Sequence, residues 1–109
     1  MVLIQLLLPT VIPGDEGPRD AKAALDETRR ELTAAFEGLT AYLRAPARGA
    51  WTAPDGRMEH DDVVMVEVVT EAFDRRWWRA YAKTLAQRFR QQEIHVRAMP
   101  VTLLNDEGD

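Results

Sequence analysis

The chain has 109 residues, enough for one domain with a single core, and its 46% hydrophobic and 29% charged fractions are those of a globular chain rather than a disordered one. A net charge of −4 argues against a sequence-independent nucleic-acid binder, which needs a positive face to release counterions. Cysteine is absent, so disulfides, thiolate metal sites and cysteine nucleophiles are excluded.

Met1 to Leu8 is apolar except at Gln5. It has no basic start and no small-residue cleavage site, and Pro9 and Pro13 follow, so it reads as a strand rather than a signal peptide and the chain as cytoplasmic. Apolar residues on both parities place this strand in the middle of a sheet. Thr10 to Pro18 carries two prolines and two glycines and reads as a loop. A first helix is expected from Asp20, as N-cap, to about Glu37, with Gly38 as its stop. Ala21, Ala24, Leu25, Thr28, Leu32, Ala35 and Phe36 fall on one stripe, with Lys22, Glu27, Arg30 and Glu31 outside it.

Thr40 to Thr70 reads as two strands folded back through Ala53-Pro54-Asp55-Gly56, since Asp-Gly between apolar runs supplies the positive φ of a tight turn. Pro46 and Gly49 interrupt the first of these strands, which is therefore an edge or a bulged strand. Asp62 to Thr70 is the most β-prone segment of the chain. A second helix opens at Asp74, where Phe73 and Trp78 have the spacing of a hydrophobic staple. Trp78, Tyr81, Ala82, Leu85 and Phe89 make its buried stripe; Arg75, Arg76, Arg79, Lys83 and Arg90 point outward. Ile94 to Leu104, with Pro100 inside it, is the last strand and another edge. Residues 105–109 are an acidic, frayed tail.

The order β, α, β, β, α, β with right-handed crossovers predicts a single α+β domain over residues 1–104. It is a ferredoxin-like βαββαβ fold with an antiparallel sheet of order 4-1-3-2 and two helices on one face. Strand parity then divides the sheet. Val2, Ile4, Leu6, Leu8, Val64, Val66, Val68, Ile94, Val96 and Ala98 are expected under the helices. The other face carries Leu3, Leu7, Tyr42, Met65, Val69 and Met99, too apolar a set to leave in water. The expected cover is a second copy of the chain, giving a homodimer or higher homo-oligomer. Gln5, Glu67, His95 and Arg97 form the polar cluster stranded within that interface, where a small ligand would also fit.

Phe36-Glu-Gly-Leu-Thr40, Gly49-Ala-Trp51, Asp55-Gly56, Val66-Glu-Val68, Trp77-Trp78, Leu85-Ala-Gln-Arg-Phe89 and Val96 to Leu104 resemble a family of short bacterial proteins of uncharacterised function and ferredoxin-like fold. The resemblance covers about two thirds of the chain, Phe36 to Leu104, and rests on turn and core residues. It brings no activity with it.

Glu67 interrupts a valine-rich strand, so its carboxylate must be paired, protonated or facing a wet cavity. One reading is a structural ion pair at the dimer interface. The alternative is a cofactor-free enzyme of the dimeric α+β barrel type, acting on a small organic molecule, with Glu67 working beside His95 or Arg97. Glu59-His60-Asp61-Asp62 has metal-ligand residue types, but neighbours on a strand point to opposite faces, so no metal site is expected. Trp51, Trp77 and Trp78 are read as packing residues ahead of a ligand pocket. The basic face Arg75, Arg76, Arg79 and Lys83 lacks the paired sheet aromatics with which this fold binds RNA, and neither nucleic acid, a membrane nor a cofactor is expected.

Overall fold

A computed structural model of the chain describes residues 1–36, 39–42, 49–52, 58–61 and 63–104, with backbone alone for those between 39 and 61. The elements in chain order are β1 (Val2–Pro9), β2 (Val11–Ile12), β3 (Arg19–Asp20), α1 (Lys22–Ala35), β4 (Leu39–Tyr42), β5 (Gly49–Thr52), β6 (Met58–Asp61), β7 (Val63–Thr70), α2 (Arg75–Arg88) and β8 (His95–Pro100). The fold is α+β. Strands β4-β7-β1-β8 form a four-stranded antiparallel sheet, and β2-β3 and β5-β6 are separate two-stranded ladders.

Alternation builds the sheet. Ile4, Leu6 and Leu8 of β1 are fully buried while Leu3, Gln5 and Leu7 between them are half-buried, and β7 repeats the pattern with Val64, Val66 and Val68 inside. These six side chains join Leu32 of α1, Trp78, Tyr81 and Leu85 of α2, and Phe89 just after it in one core, so both helices cover the same sheet face. Each such residue taken out of water contributes about 1.5–3 kcal/mol.

Helix α2 begins where the sequence places it. The Asp74 carboxylate accepts the N–H groups of Arg76 and Trp77 at 2.9 and 3.3 Å, satisfying two of the donors that a helix start leaves open. It ends in a Schellman motif: the N–H of Gln91 donates to the Ala86 carbonyl and that of Arg90 to the Gln87 carbonyl. The left-handed residue of this motif is Arg90, with φ of 53°, a position glycine usually takes. Its guanidinium donates to the Pro13 carbonyl at 3.2 Å and to Asp15 at 3.4 Å, ties that hold it there.

Several expectations are corrected. Thr10 to Pro18 is not a plain loop: Val11 pairs with Asp20 and Ile12 with Arg19, making a small hairpin that buries Ile12. Its turn closes from the Gly17 N–H to the Gly14 carbonyl at 3.1 Å, with Gly17 at φ of 113° and no room for a side chain at Gly14. Helix α1 starts later than Asp20, because Asp20 is held in that hairpin; its carboxylate still accepts the Lys22 N–H at 2.6 Å from one position ahead of the cap residue Ala21. The last strand stops at Pro100 and not at Leu104, with one further backbone bond from the Val101 N–H to the Met1 carbonyl at 3.1 Å.

The segment read as one interrupted strand after Thr40 is two. Leu39–Tyr42 pairs with β7 in the main sheet, and Gly49–Thr52 pairs with Met58–Asp61 in its own ladder. Tyr42 opposes Met65 and Gly49 opposes Asp61, so the stretch holding Pro46 is the longer of the two that link the ladders. Pro46, the Asp55-Gly56 turn, Gly38 and the tail at 105–109 lie outside the described residues. Within the expected core set, Val2 and Val96 are half-buried and Ala98 is exposed, all three where β1 pairs with β8.

One polar clamp joins the helices across the core boundary. Arg88, with its side chain only 13% exposed, donates to both carboxylate oxygens of Glu31 at 2.8 and 2.9 Å and to the Thr28 hydroxyl at 2.9 Å. The Tyr81 hydroxyl donates to Glu31 at 2.9 Å. The hydrogen bond from Arg88 holds the Glu31 carboxyl below its ordinary 4.5 against the opposing effect of burial, and Tyr81 and the Arg88 charge add to the lowering. Burial first, then the Glu31 bond, push the Tyr81 phenol well above its ordinary 10. Because the folded value of Glu31 lies below the unfolded one, the stability it contributes is present above about pH 4.5 and is lost as pH falls through the folded value. Glu31→Gln is expected to cost up to about 1 kcal/mol at neutral pH, since the pair is half-exposed at its acidic end. Urea midpoints should also fall less steeply with acid in the variant than in the wild type. Parallel pH profiles would show that the clamp contributes nothing.

Candidate functional site

The sheet face turned away from the helices is set by the register of β1. Gln5 stands opposite Glu67 of β7 on one side and Arg97 of β8 on the other. Leu3 stands between Val69 and Met99, and Leu7 between Met65 and His95. On the far side of β7, Thr40 opposes Glu67 and Tyr42 opposes Met65. The ten residues singled out from the sequence thus share one face in three rows, with only the backbone of Tyr42 described.

The middle row is hydrogen-bonded from end to end. Arg97 Nε donates to Gln5 Oε1 at 2.7 Å, and Gln5 Nε2 donates to Glu67 Oε2 at 2.6 Å. Arg97 and Glu67 are separated by two strand spacings, about 10 Å, and the amide between them presents its carbonyl to the cation and its NH2 to the anion. A direct ion pair across β1 is therefore not what forms; the central amide links the two charges. Such charge-assisted bonds are shorter and stronger than neutral ones. The sequence marks Gln5 as the single polar residue of β1 but does not show that its two ends meet opposite charges.

Around this row the apolar residues Leu3, Leu7, Met65, Val69 and Met99 are half-buried, and His95 at the end of the Leu7 row is exposed. His95 lies one row from Glu67 and two strands away, with no side-chain hydrogen bond between them. The face can pair charges and bury apolar area. Among its described side chains, His95 and Glu67 are not hydrogen-bonded to each other.

No protein-family model, curated protein or solved structure matches the chain. The chemistry must therefore be read from the residues themselves. Among the described residues, no group of three or more His, Asp or Glu side chains is placed to hold a metal, and the side chains of Glu59, His60, Asp61 and Asp62 lie outside them. No helix among the described residues is long and apolar enough to cross a membrane.

The tryptophans read as packing. Trp78 stacks on Phe36 with ring centroids 5.2 Å apart, and Trp77 stacks on Tyr81 at 4.9 Å and meets Phe36 and Trp78 edge-on. Trp77 remains 37% exposed, because it caps the cluster where α1 ends and α2 begins. The side chain of Trp51 lies outside the described residues. Sequence periodicity missed Arg88 and Glu31, which sit one position off the buried stripes and turn toward each other; their opposite charges beside Leu85 and Leu32 were the available signal.

Gln5→Leu is expected to destabilise the fold by about 1–3 kcal/mol, because it leaves Glu67 half-buried without its donor. The double variant Gln5→Leu/Glu67→Leu should recover most of that loss, since it removes both partners together. Equilibrium urea unfolding measures both, and equal costs for the single and double variants would show that the Gln5–Glu67 bond carries no stability.

Proposed function

We propose that this chain is a ferredoxin-like domain of the cytoplasm that pairs with a second copy through the open face of its sheet, and that the pair is the working unit. The observation that carries the reading is the Arg97–Gln5–Glu67 row, with a cation at one end, an anion at the other and apolar rows on either side. Support for the fold reading comes from the order β4-β7-β1-β8 and from the shared core of the two helices. A place among the short bacterial proteins that the chain resembles is part of the same reading.

The row is self-complementary. A two-fold axis running along β1 exchanges the β7 and β8 sides of the face, so Arg97 of one copy lies over Glu67 of the other and the two glutamines meet near the axis. Leu3, Leu7, Met65, Val69 and Met99 then lose their remaining exposure between two sheets packed about 10 Å apart. The bond that Gln5 already makes to Glu67 favours this structural role of the carboxylate over its use as a free general base in an enzyme.

Sedimentation at micromolar concentration is expected to show a species of twice the 12.4 kDa chain mass. Glu67→Arg and Arg97→Glu should each weaken the dimer at least tenfold, or about 1.4 kcal/mol, by placing like charges across the axis. Both reversals in one chain should restore it. A monomeric wild type, or double reversal that restores nothing, would overturn the reading.

A further inference from the structure

On the opposite side of the sheet, between α2 and β8, lies a groove of about 510 Å³. Ala82 on the helix and Ala98 on the strand line it and fill little of the space, and Ala98 is exposed there. The register sets Ile4 opposite Ala98 and Val2 opposite Pro100, which makes the lining next to the sheet apolar, and Phe73 and Trp78 add aromatic surface on the helix side.

The charge of the lining runs against that of the chain. The protein carries 18 acidic and 14 basic residues, yet three arginines border the groove, Arg75, Arg79 and Arg97, and no acidic side chain does. Arg75 and Arg79 stand one turn apart on α2 and have no acidic partner among the described residues; Arg75 lies 6.0 Å from the Phe73 ring. Elsewhere on the same helix, Arg88 is held by Glu27 and Glu31. Two unpaired guanidiniums beside an apolar trough suit a planar anion attached to an apolar body, because arginine presents paired donors that match a carboxylate. The volume lies in the range of pockets for small molecules.

We infer that the α2–β8 groove is a binding site for a small amphipathic carboxylate, with its apolar body along Val2, Ile4, Val96 and Ala98 and its head group at Arg75 and Arg79. The apolar bed and the two head-group arginines of this site are on the helix side of the sheet, and the groove reaches Arg97 and Met99 of the other face only around the edge strand β8.

The test is methyl NMR of the full chain titrated with sodium octanoate, and in parallel with 1-octanol, which has the same body without the charge. Octanoate is expected to bind saturably and to shift the methyl signals of Val2, Ile4, Val96 and Ala98. The double variant Arg75→Gln/Arg79→Gln, with both substitutions at exposed positions, should raise the octanoate Kd at least tenfold and change the octanol Kd less than twofold. Ala98→Phe should block both ligands by filling the trough, while the far-UV circular dichroism and the sedimentation behaviour stay those of the wild type. Absent octanoate binding, shifts centred on Leu3, Leu7 and Met65 instead, or an unchanged Kd in the arginine variant would each overturn the inference. A failure here leaves the sedimentation result standing, and a monomeric wild type leaves this one standing.

Discussion

The strict alternation of β1 is the constraint on which the rest of the molecule depends. Ile4, Leu6 and Leu8 have no exposure at all, whereas Leu3, Gln5 and Leu7 keep some, and β1 is the strand that both β7 and β8 pair against. A period-two strand that is apolar on both sides needs two covers. In this chain α1 and α2 supply one, through Leu32, Trp78 and Leu85. The second face is left with half-buried leucines and methionines around a hydrogen-bonded polar row.

Much of this was legible in the residues, for physical reasons that can be named. The core of β1 and β7 follows from alternation, and α2 follows from Asp74 as a cap and from a stripe of large side chains at helical spacing. What escaped were features that periodicity cannot resolve. The hairpin of β2 and β3 has two residues on each side, too short for any pattern, and it moved the start of α1 by claiming Asp20 for a strand pair. The division between β4 and β5 depends on how two ladders of different register are joined. Arg88 occupies a boundary position, where a long side chain can lay its stem along apolar surface and still reach a carboxylate.

The candidate sites divide in the same way. The open face was legible because parity alone assigns side chains to faces once the strands are identified. The groove beside α2 was not, because it reflects where a helix axis lies over a sheet, a property of packing rather than of spacing. Ala98 shows the difference. By parity it belongs with Ile4, its register partner, in the core, yet Ile4 is fully buried and Ala98 is exposed in the groove beside α2.

The Arg97–Gln5–Glu67 row also bears on how the chain finds its sheet. Sliding β1 by one residue would bring Leu3, Gln5 and Leu7 under the helices in place of Ile4, Leu6 and Leu8, and so carry an amide into the core. Sliding it by two preserves parity, so the apolar pattern barely opposes it: a leucine or isoleucine replaces another along most of the strand. Only Gln5 would then stand wrongly, opposite Met65 and His95 or opposite Val69 and Met99, with Glu67 and Arg97 both facing a leucine. In a strand this uniform, one amide distinguishes the native alignment from its nearest competitors, and the row acts as a registration mark between three segments that are far apart along the chain.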